Sequence, residues 1–345
     1  MALYLFVFFV SFVVNFVTIV PFINILYKLK FQRAHQETRD VFNKLTPIFD
    51  RFHREKAGTP VGGGLLLITN TMLLFFLGLV ALSFFCREIV TNYQSIVSEF
   101  KVLLFTFVAF SFLGLYDDLR KMFFWKSDSF FGLRVRHKLV LEVILALIVS
   151  YWMYFELKIS IINIPFFGVY DFSWLYIPFA AFVIVAFANA VNITDGLDGL
   201  ASGVLLIALF AFWAISVSIL DTPLLIFIAV WLGGLIAFLY FNIYPARLFL
   251  GDTGALSFGA TFAVIGLLLG KVFALPIIGA VFLLEITTSA IQLVWKRVHG
   301  RKFFPVAPLH LWLQLLGWEE SKIVARAWIA SILFAILGLM IAFLK

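Results

Sequence analysis

The chain has 345 residues, of which 63% are hydrophobic and 13% charged, with a mean hydropathy of +1.07. A soluble globular domain is roughly half apolar and about a quarter charged, so composition excludes a water-soluble fold. The net charge of +7 raises nucleic acid as a partner, and the single Cys86 excludes an internal disulfide and a Cys-based zinc site.

About 20 apolar residues cross a bilayer as a helix. That length gives ten predicted spans, at 3–27, 61–85, 101–116, 139–156, 174–191, 200–220, 224–241, 255–270, 272–295 and 323–344. The expected fold is all-α, a single polytopic membrane domain over 1–345. The run from Leu3 to Leu26 is too long for a signal-peptide core. It also lacks a preceding basic region and a small-residue cleavage site, so it reads as a retained first helix. Only Lys271 marks the boundary between the eighth and ninth spans.

Charge orients these spans. With the N-terminus outside, all but five of the 26 Lys and Arg fall on the cytoplasmic side; the exceptions are Arg87, Lys101, Lys158, Lys271 and Lys345. This positive-inside bias predicts both termini extracytoplasmic and cytoplasmic loops near 28–60, 117–138, 192–199, 242–254 and 296–322. It explains the basic surplus without nucleic acid. The same parity brings the unusual polar segments Lys56–Gly64, Asp117–Asp118, Asn189–Gly199, Asn242–Gly254 and Pro308–Trp318 to one face. An active-site cleft on the cytoplasmic face predicts that convergence; packing does not.

Those segments, in chain order, each carry a chemical and a structural reading. Lys56-Ala-Gly-Thr59-Pro60-Val-Gly62-Gly63-Gly64 offers glycines either for close helix contact or for N–H groups that face an anion. Asp117 and Asp118 sit where a predicted helix ends, and the macrodipole there disfavours anions. A compensating cation is implied, either Mg²⁺ or a nearby Lys, and one oxygen of such a pair can hold a metal while another acts as base. Glu142, one turn beyond Lys138, is expected to form an interfacial ion pair with it. Asn189, Asn192, Asp195 and Asp198 could be an Asn/Asp/Gly turn, but carboxylates at a membrane surface are costly and usually functional. Asp252 is flanked by Gly251 and Gly254, which let a phosphate approach closely, and Phe249 could stack on a planar base or simply contact lipid. Glu285, with Thr287, Thr288 and Gln292 nearby, is expected to make interhelical hydrogen bonds. His310 suits either a buried hydrogen-bonded histidine or a phosphate and proton partner.

Taken together, Asn189-Ala-Val-Asn192-Ile-Thr-Asp195-Gly-Leu-Asp198-Gly, Phe249-Leu-Gly251-Asp252 and Ala307-Pro-Leu-His310 resemble the motifs of the polyprenyl-phosphate N-acetylhexosamine-1-phosphate transferase superfamily. The likeness runs in consistent order from about Lys56 to the C-terminus. With Lys322-Ile-Val-Ala-Arg-Ala-Trp-Ile, it is strongest to the branch that makes lipid I for peptidoglycan. The resemblance implies a multi-pass enzyme of the bacterial inner membrane with ten transmembrane helices. It would use Mg²⁺ to transfer a phospho-sugar, here phospho-N-acetylmuramoyl-pentapeptide, from a UDP-sugar donor to undecaprenyl phosphate, releasing UMP. It also admits a homodimer.

By resemblance Asp252 is the Mg²⁺ ligand. Asp117 and Asp118 handle the lipid phosphate, with Asp117 the candidate base. Phe249 stacks on uracil, with Asn242, Lys56 and Asp198 around the nucleoside. Asn189, Asn192, Asp195 and Lys138 line the sugar and diphosphate region, His310 is the essential member of the histidine motif, and Thr59, Lys121 and Gly251 complete the substrate-binding set. The sequence departs from the branch in two motifs. Three consecutive histidines followed by Phe-Glu or Leu-Glu are reduced to His310 followed by Leu311, Trp312, Leu313 and Gln314, and Pro-Thr-Met-Gly-Gly reads Pro60-Val61-Gly62-Gly63-Gly64. Both bear on the sugar more than on the reaction, so a related UDP-HexNAc donor serving another glycan is the alternative. A proton-coupled transporter would share the span count, but such sites lie near the bilayer midplane at repeat interfaces, and no internal repeat is visible.

Overall fold

The structure, a computed structural model, describes residues 2–32, 50–52, 56–84, 89–123 and 135–344. The predicted basic loops therefore lie partly outside the described residues, and Cys86 lies wholly outside them. Helices α1 (Ala2–Lys28), α2 (Gly63–Phe84), α3 (Ile96–Phe123) and α4 (Val135–Phe155) lead to an antiparallel hairpin of β1 (Ile161–Ile164) and β2 (Gly168–Asp171). Helices α5 (Tyr176–Thr194), α6 (Leu200–Ile219), α7 (Thr222–Asn242), α8 (Gly251–Leu268), α9 (Ala274–Ile278), α10 (Ala280–His299), α11 (Leu309–Leu315) and α12 (Glu320–Phe343) follow. Helix is the expected outcome for these apolar runs, because in hydrocarbon every backbone N–H and C=O needs a partner within its own segment. Among the described residues nine helices, α1 to α8 and α12, are long and apolar enough to cross a membrane. The chain is an all-α, multi-pass membrane protein.

The ninth predicted span, 272–295, is not one helix. Pro276 has no N–H to give and Gly279 leaves helical geometry (φ −91°, ψ 19°), so the segment divides into α9 and α10. Helix α10 then carries Glu285, Lys296, Arg297 and His299 together with exposed Leu284, Ile291, Val294 and Val298, an amphipathic character that a lipid-embedded span would lack. Helix α3 also runs beyond the predicted 101–116 at both ends. Its charged ends are tolerated because each is partnered in the protein: Glu99 by Thr91, Lys101 by Glu156 and Lys121 by Asp117. The hairpin between α4 and α5 was not expected from the sequence.

Helix α8 is the axis of the bundle. Its mean hydropathy of 1.3 is the lowest of the nine, yet 94% of it is buried; α1, at 2.5, is only 17% buried. The contrast has a simple cause. A helix facing lipid must be apolar, whereas one enclosed by protein can use Gly, Ala, Ser and Thr to let neighbours approach closely. Helices α2, α3 and α5 pack against α8, and α1 packs against α7. An aromatic knot joins α3, α7 and α8, with Trp231 5.5 Å from Phe107 and 5.0 Å from Phe258 between ring centroids.

Successive spans alternate in direction, so the ends of α1, α3, α5 and α7 and the starts of α2, α4, α6, α8 and α12 meet at one end of the bundle, called here the site end. The glycine triplet opening α2 is used for contact. A Cβ on Gly64 would collide with the Gly254 backbone of α8, and the N–H groups of Gly62, Gly63 and Gly64 donate to the carbonyls of Phe249 and Leu250 at 2.9–3.1 Å. Those donors are spent on the protein and do not face an anion. Gly64→Val is therefore expected to destabilise the fold by about 1–3 kcal/mol through overpacking. The readout is thermal unfolding of the detergent-solubilised protein, and an unchanged midpoint would contradict the close crossing.

Candidate active site

Three segments far apart in sequence converge at the site end on a cluster of five charged side chains. Asp117 and Asp118 come from α3, Lys121 from the next turn of α3, Lys138 from the first turn of α4, and Asp252 from the first turn of α8. Lys121 Nζ lies 3.0 Å from Asp117 and 2.8 Å from Asp252; Lys138 Nζ lies 2.5 Å from Asp252 and 3.4 Å from Asp117. The lysine side chains are only 12–13% exposed and the acids less. Ions held out of water cost several kcal/mol each, so three acids in this position make the cluster the candidate site. Of the compensating cations inferred from the sequence, Mg²⁺ or Lys, the lysines Lys121 and Lys138 stand beside these acids. One expectation needs correction: α3 continues to Phe123, so the two aspartates lie inside the helix and not at its C-terminus.

Asp118 is fully buried and both its oxygens are engaged. It accepts from Asp252 N–H (3.1 Å), Thr253 N–H (2.9 Å) and Thr253 Oγ1 (2.7 Å). A residue of α3 thus caps α8, supplying the acceptors that the first N–H groups of a helix lack and placing a negative charge at the positive end of its dipole. Gly251 makes this possible. It adopts φ +80°, and a Cβ there would lie 2.8 Å from both Asp118 Oδ2 and Val61 Cγ1. The cap in turn fixes Asp252, which leaves the backbone in the same turn.

A second cluster ties four segments together. Lys56 Nζ lies 2.7 Å from Asp198 and 2.5 Å from Glu320, the first residue of α12. Glu320 also accepts from Asp198 N–H at 2.7 Å, and Asp198 Oδ2 accepts from Ala246 N–H at 2.9 Å. Sequence reasoning missed Glu320; the available signal was an acid beginning a span on the face where Lys56 needs partners. Asn242 is also a clamp. Its Oδ1 accepts from Gly199 N–H and Ser202 Oγ, and its Nδ2 donates to Leu248 C=O, so its amide is taken up by the protein.

Asp195 lies between the two clusters and is partly buried. Burial, followed by the negative charge of Asp252 and Asp118, pushes its carboxyl well above the ordinary carboxylate range; Lys56 pulls the other way. Among the described residues no hydrogen bond to the Asp195 carboxylate is found. Asn189 donates to Glu142 Oε2 at 2.5 Å, so the expected Glu142–Lys138 ion pair is replaced: Lys138 serves the aspartates and Glu142 holds Asn189. Asn192 and Thr59 are half-buried beside these groups in sequence. Phe249 is half-buried too, with its backbone pinned to Pro60, Gly62 and Gly63. His310 is buried and bonded to Glu285, which is the structural half of its reading.

The two adjacent aspartates can be separated by experiment. Asp118→Asn puts an NH₂ where α8 requires an acceptor, and should cost about 1–3 kcal/mol, the penalty of an unmet buried polar group. Asp117→Asn leaves the cap intact and should lower the thermal midpoint less. Equal midpoints for the two variants would contradict the distinct roles.

The glycosyl transferase family 4 profile matches residues 100–270, the stretch that carries α3 to α8. Relatives named phospho-N-acetylmuramoyl-pentapeptide-transferase align over most of the chain. One from Clostridium perfringens (strain 13 / Type A) is 34% identical over 331 residues, covering 95% of each chain. One from Caldanaerobacter subterraneus subsp. tengcongensis is 33% identical over 313 residues, covering 90% of each. One from Rickettsia canadensis is 34% identical over 307 residues, covering 83% of this chain and 80% of the relative. At this identity and coverage the chain belongs to glycosyl transferase family 4, within its phospho-N-acetylmuramoyl-pentapeptide-transferase family.

Proposed function

We propose that this transferase moves phospho-N-acetylmuramoyl-pentapeptide from its UDP-linked donor to undecaprenyl phosphate, producing lipid I and UMP at the cytoplasmic face of a bacterial inner membrane. The observation that carries this reading is the buried set of Asp117, Asp252, Lys121 and Lys138 at the ends of spanning helices. A lipid phosphate and a nucleotide diphosphate repel each other, and ammonium groups held at the membrane edge reduce that repulsion where both must meet. An oxygen of the lipid phosphate forms a bond to the β-phosphorus. The bond from that phosphorus to the bridging oxygen breaks, and UMP leaves with the oxygen.

The residues divide the work by position. Lys121 and Lys138 bind phosphoryl oxygens and stabilise charge as it shifts to the leaving group. Asp117 would take any proton still on the lipid phosphate. Lys56, held by Asp198 and Glu320, together with the half-buried Phe249, is suited to the uridine. Asn192 and Asp195 would meet the sugar and diphosphate, with Asn189 held next to them by Glu142. Asp252, which pairs with Lys121 and Lys138 in the structure, is the carboxylate that would hold Mg²⁺ alongside substrate phosphates, and a bound Mg²⁺ would neutralise the diphosphate during transfer.

A second reading concerns the donor. His310 is followed by Leu311, which is buried, and by Trp312, whose ring packs 5.4 Å from Phe304, so aliphatic and aromatic side chains stand where the branch has histidines. That supports a related UDP-HexNAc donor for another glycan.

Asp252→Asn in the purified protein should reduce UMP release by roughly a hundred- to a thousandfold without preventing folding, and chelation of divalent cations should reproduce the loss in the unaltered protein. Full activity in either case would contradict the assignment. Offering the muramoyl-pentapeptide donor and UDP-N-acetylglucosamine in parallel, each with undecaprenyl phosphate, separates the two readings: UMP release with only the second donor would overturn the first.

A further inference from the structure

Beyond its broken start, α10 has a second unusual feature. Past Gly300 the chain turns back and runs along the helix, held by two polar side chains seven residues apart. Gln292 accepts from Phe303 N–H and Phe304 N–H at 3.0 and 2.9 Å and donates to Phe304 C=O at 3.1 Å. Two turns earlier, Glu285 accepts from His310 N–H through both oxygens, at 3.2 and 3.3 Å. The two clips differ in one respect. Glu285 also meets the imidazole, with His310 Nδ1 3.0 Å from its Oε2, and both side chains are at least 95% buried.

The other ring nitrogen lies against the turn that follows Asp195. A Cβ placed on Gly196 would lie 2.5 Å from His310 Nε2, so the ring edge rests against the Gly196 backbone. Gly196 follows Asp195, and its carbonyl lies 3.5 Å from Lys56 Nζ. The ring is therefore enclosed, with a carboxylate on one nitrogen and the Asp195–Asp198 turn on the other. A carboxylate only accepts hydrogen bonds. It thus holds a proton on Nδ1, which in a neutral ring leaves Nε2 as an acceptor; the partner of one imidazole nitrogen decides what the other can do.

We propose that Glu285 is a positioning residue for the transfer reaction. It fixes the tautomer and the angle of His310, so that Nε2 is held as an acceptor against the turn that carries Asp195 and thereby sets the position of that turn for the reaction. This inference deepens the proposed function and rests on it for the role of His310, while the tautomer itself stands independently.

Glu285→Gln is the informative change, because Gln292 on the same helix already shows that a glutamine can accept backbone N–H groups at this seam. The backbone clip survives, but the new amide can donate to Nδ1 and so favours the opposite tautomer. Side-chain ¹⁵N spectra of the purified full-length protein, with His310 assigned by its loss in His310→Ala, are expected to show Nδ1 protonated in the unaltered protein and Nε2 protonated in Glu285→Gln. The kcat for UMP release, with the muramoyl-pentapeptide donor and undecaprenyl phosphate, should fall roughly tenfold or more, as for other carboxylates that orient a histidine, with little change in KM. In a His310→Ala background the same change should alter any residual rate by less than about twofold.

A proton on Nε2 of the unaltered protein would overturn the proposal with no variant needed. So would an unchanged tautomer in Glu285→Gln, or losses that simply add to those of His310→Ala. If the unaltered protein releases no UMP from this donor, the functional reading fails, and the spectra still decide whether Glu285 sets the ring.

Discussion

Asp118 joins α3 to α8 through hydrogen bonds from the first turn of α8, and most of the site end hangs on that junction. In a bundle this apolar, a buried carboxylate is stable only if each oxygen meets a donor. The start of a helix supplies such donors together with a favourable dipole. The cap fixes Asp252 beside Asp117, and two carboxylates so close require cations between them. Lys121 and Lys138 answer that requirement from α3 and α4. The charge arrangement proposed to meet a diphosphate is therefore also the one that lets three acids remain buried.

The same economy appears in the turn at 195–198. Asp198 is locked to Lys56, Glu320 and Ala246, Gly196 abuts His310, and Asp195 feels the field of both charged clusters. Segments just before α2, between α5 and α6, between α7 and α8, and at the start of α12 are thus tied by polar contacts. Helix α8 completes the scaffold, because its small residues allow α2, α3 and α5 to approach closely enough for their end groups to touch.

Much of this was legible in the sequence. Long apolar runs are helical for want of any other way to satisfy the backbone, and charge parity grouped the polar segments that the structure brings to one end. What remained hidden depends on partners distant in the chain. The glycine triplet offered contact or anion binding equally, and only the carbonyls of Phe249 and Leu250 decide for contact. Glu142 has Lys138 one turn away in sequence but Asn189 across the helix interface. The ninth span reads as continuous because hydropathy averages over Pro276 and Gly279. Glu320 carries no local signal, since its importance comes from Lys56, far away in the chain.

The central claim is that a phosphoryl group moves together with the sugar, as the paired carboxylates and lysines suggest, so that the nucleotide leaves as UMP. A donor labelled at the β-phosphorus tests it most directly. After incubation of the purified protein with that donor and undecaprenyl phosphate, the label should be found in the lipid product, with unlabelled UMP in the water phase. Label retained in released UDP would mean that the sugar alone is transferred, and would contradict the account.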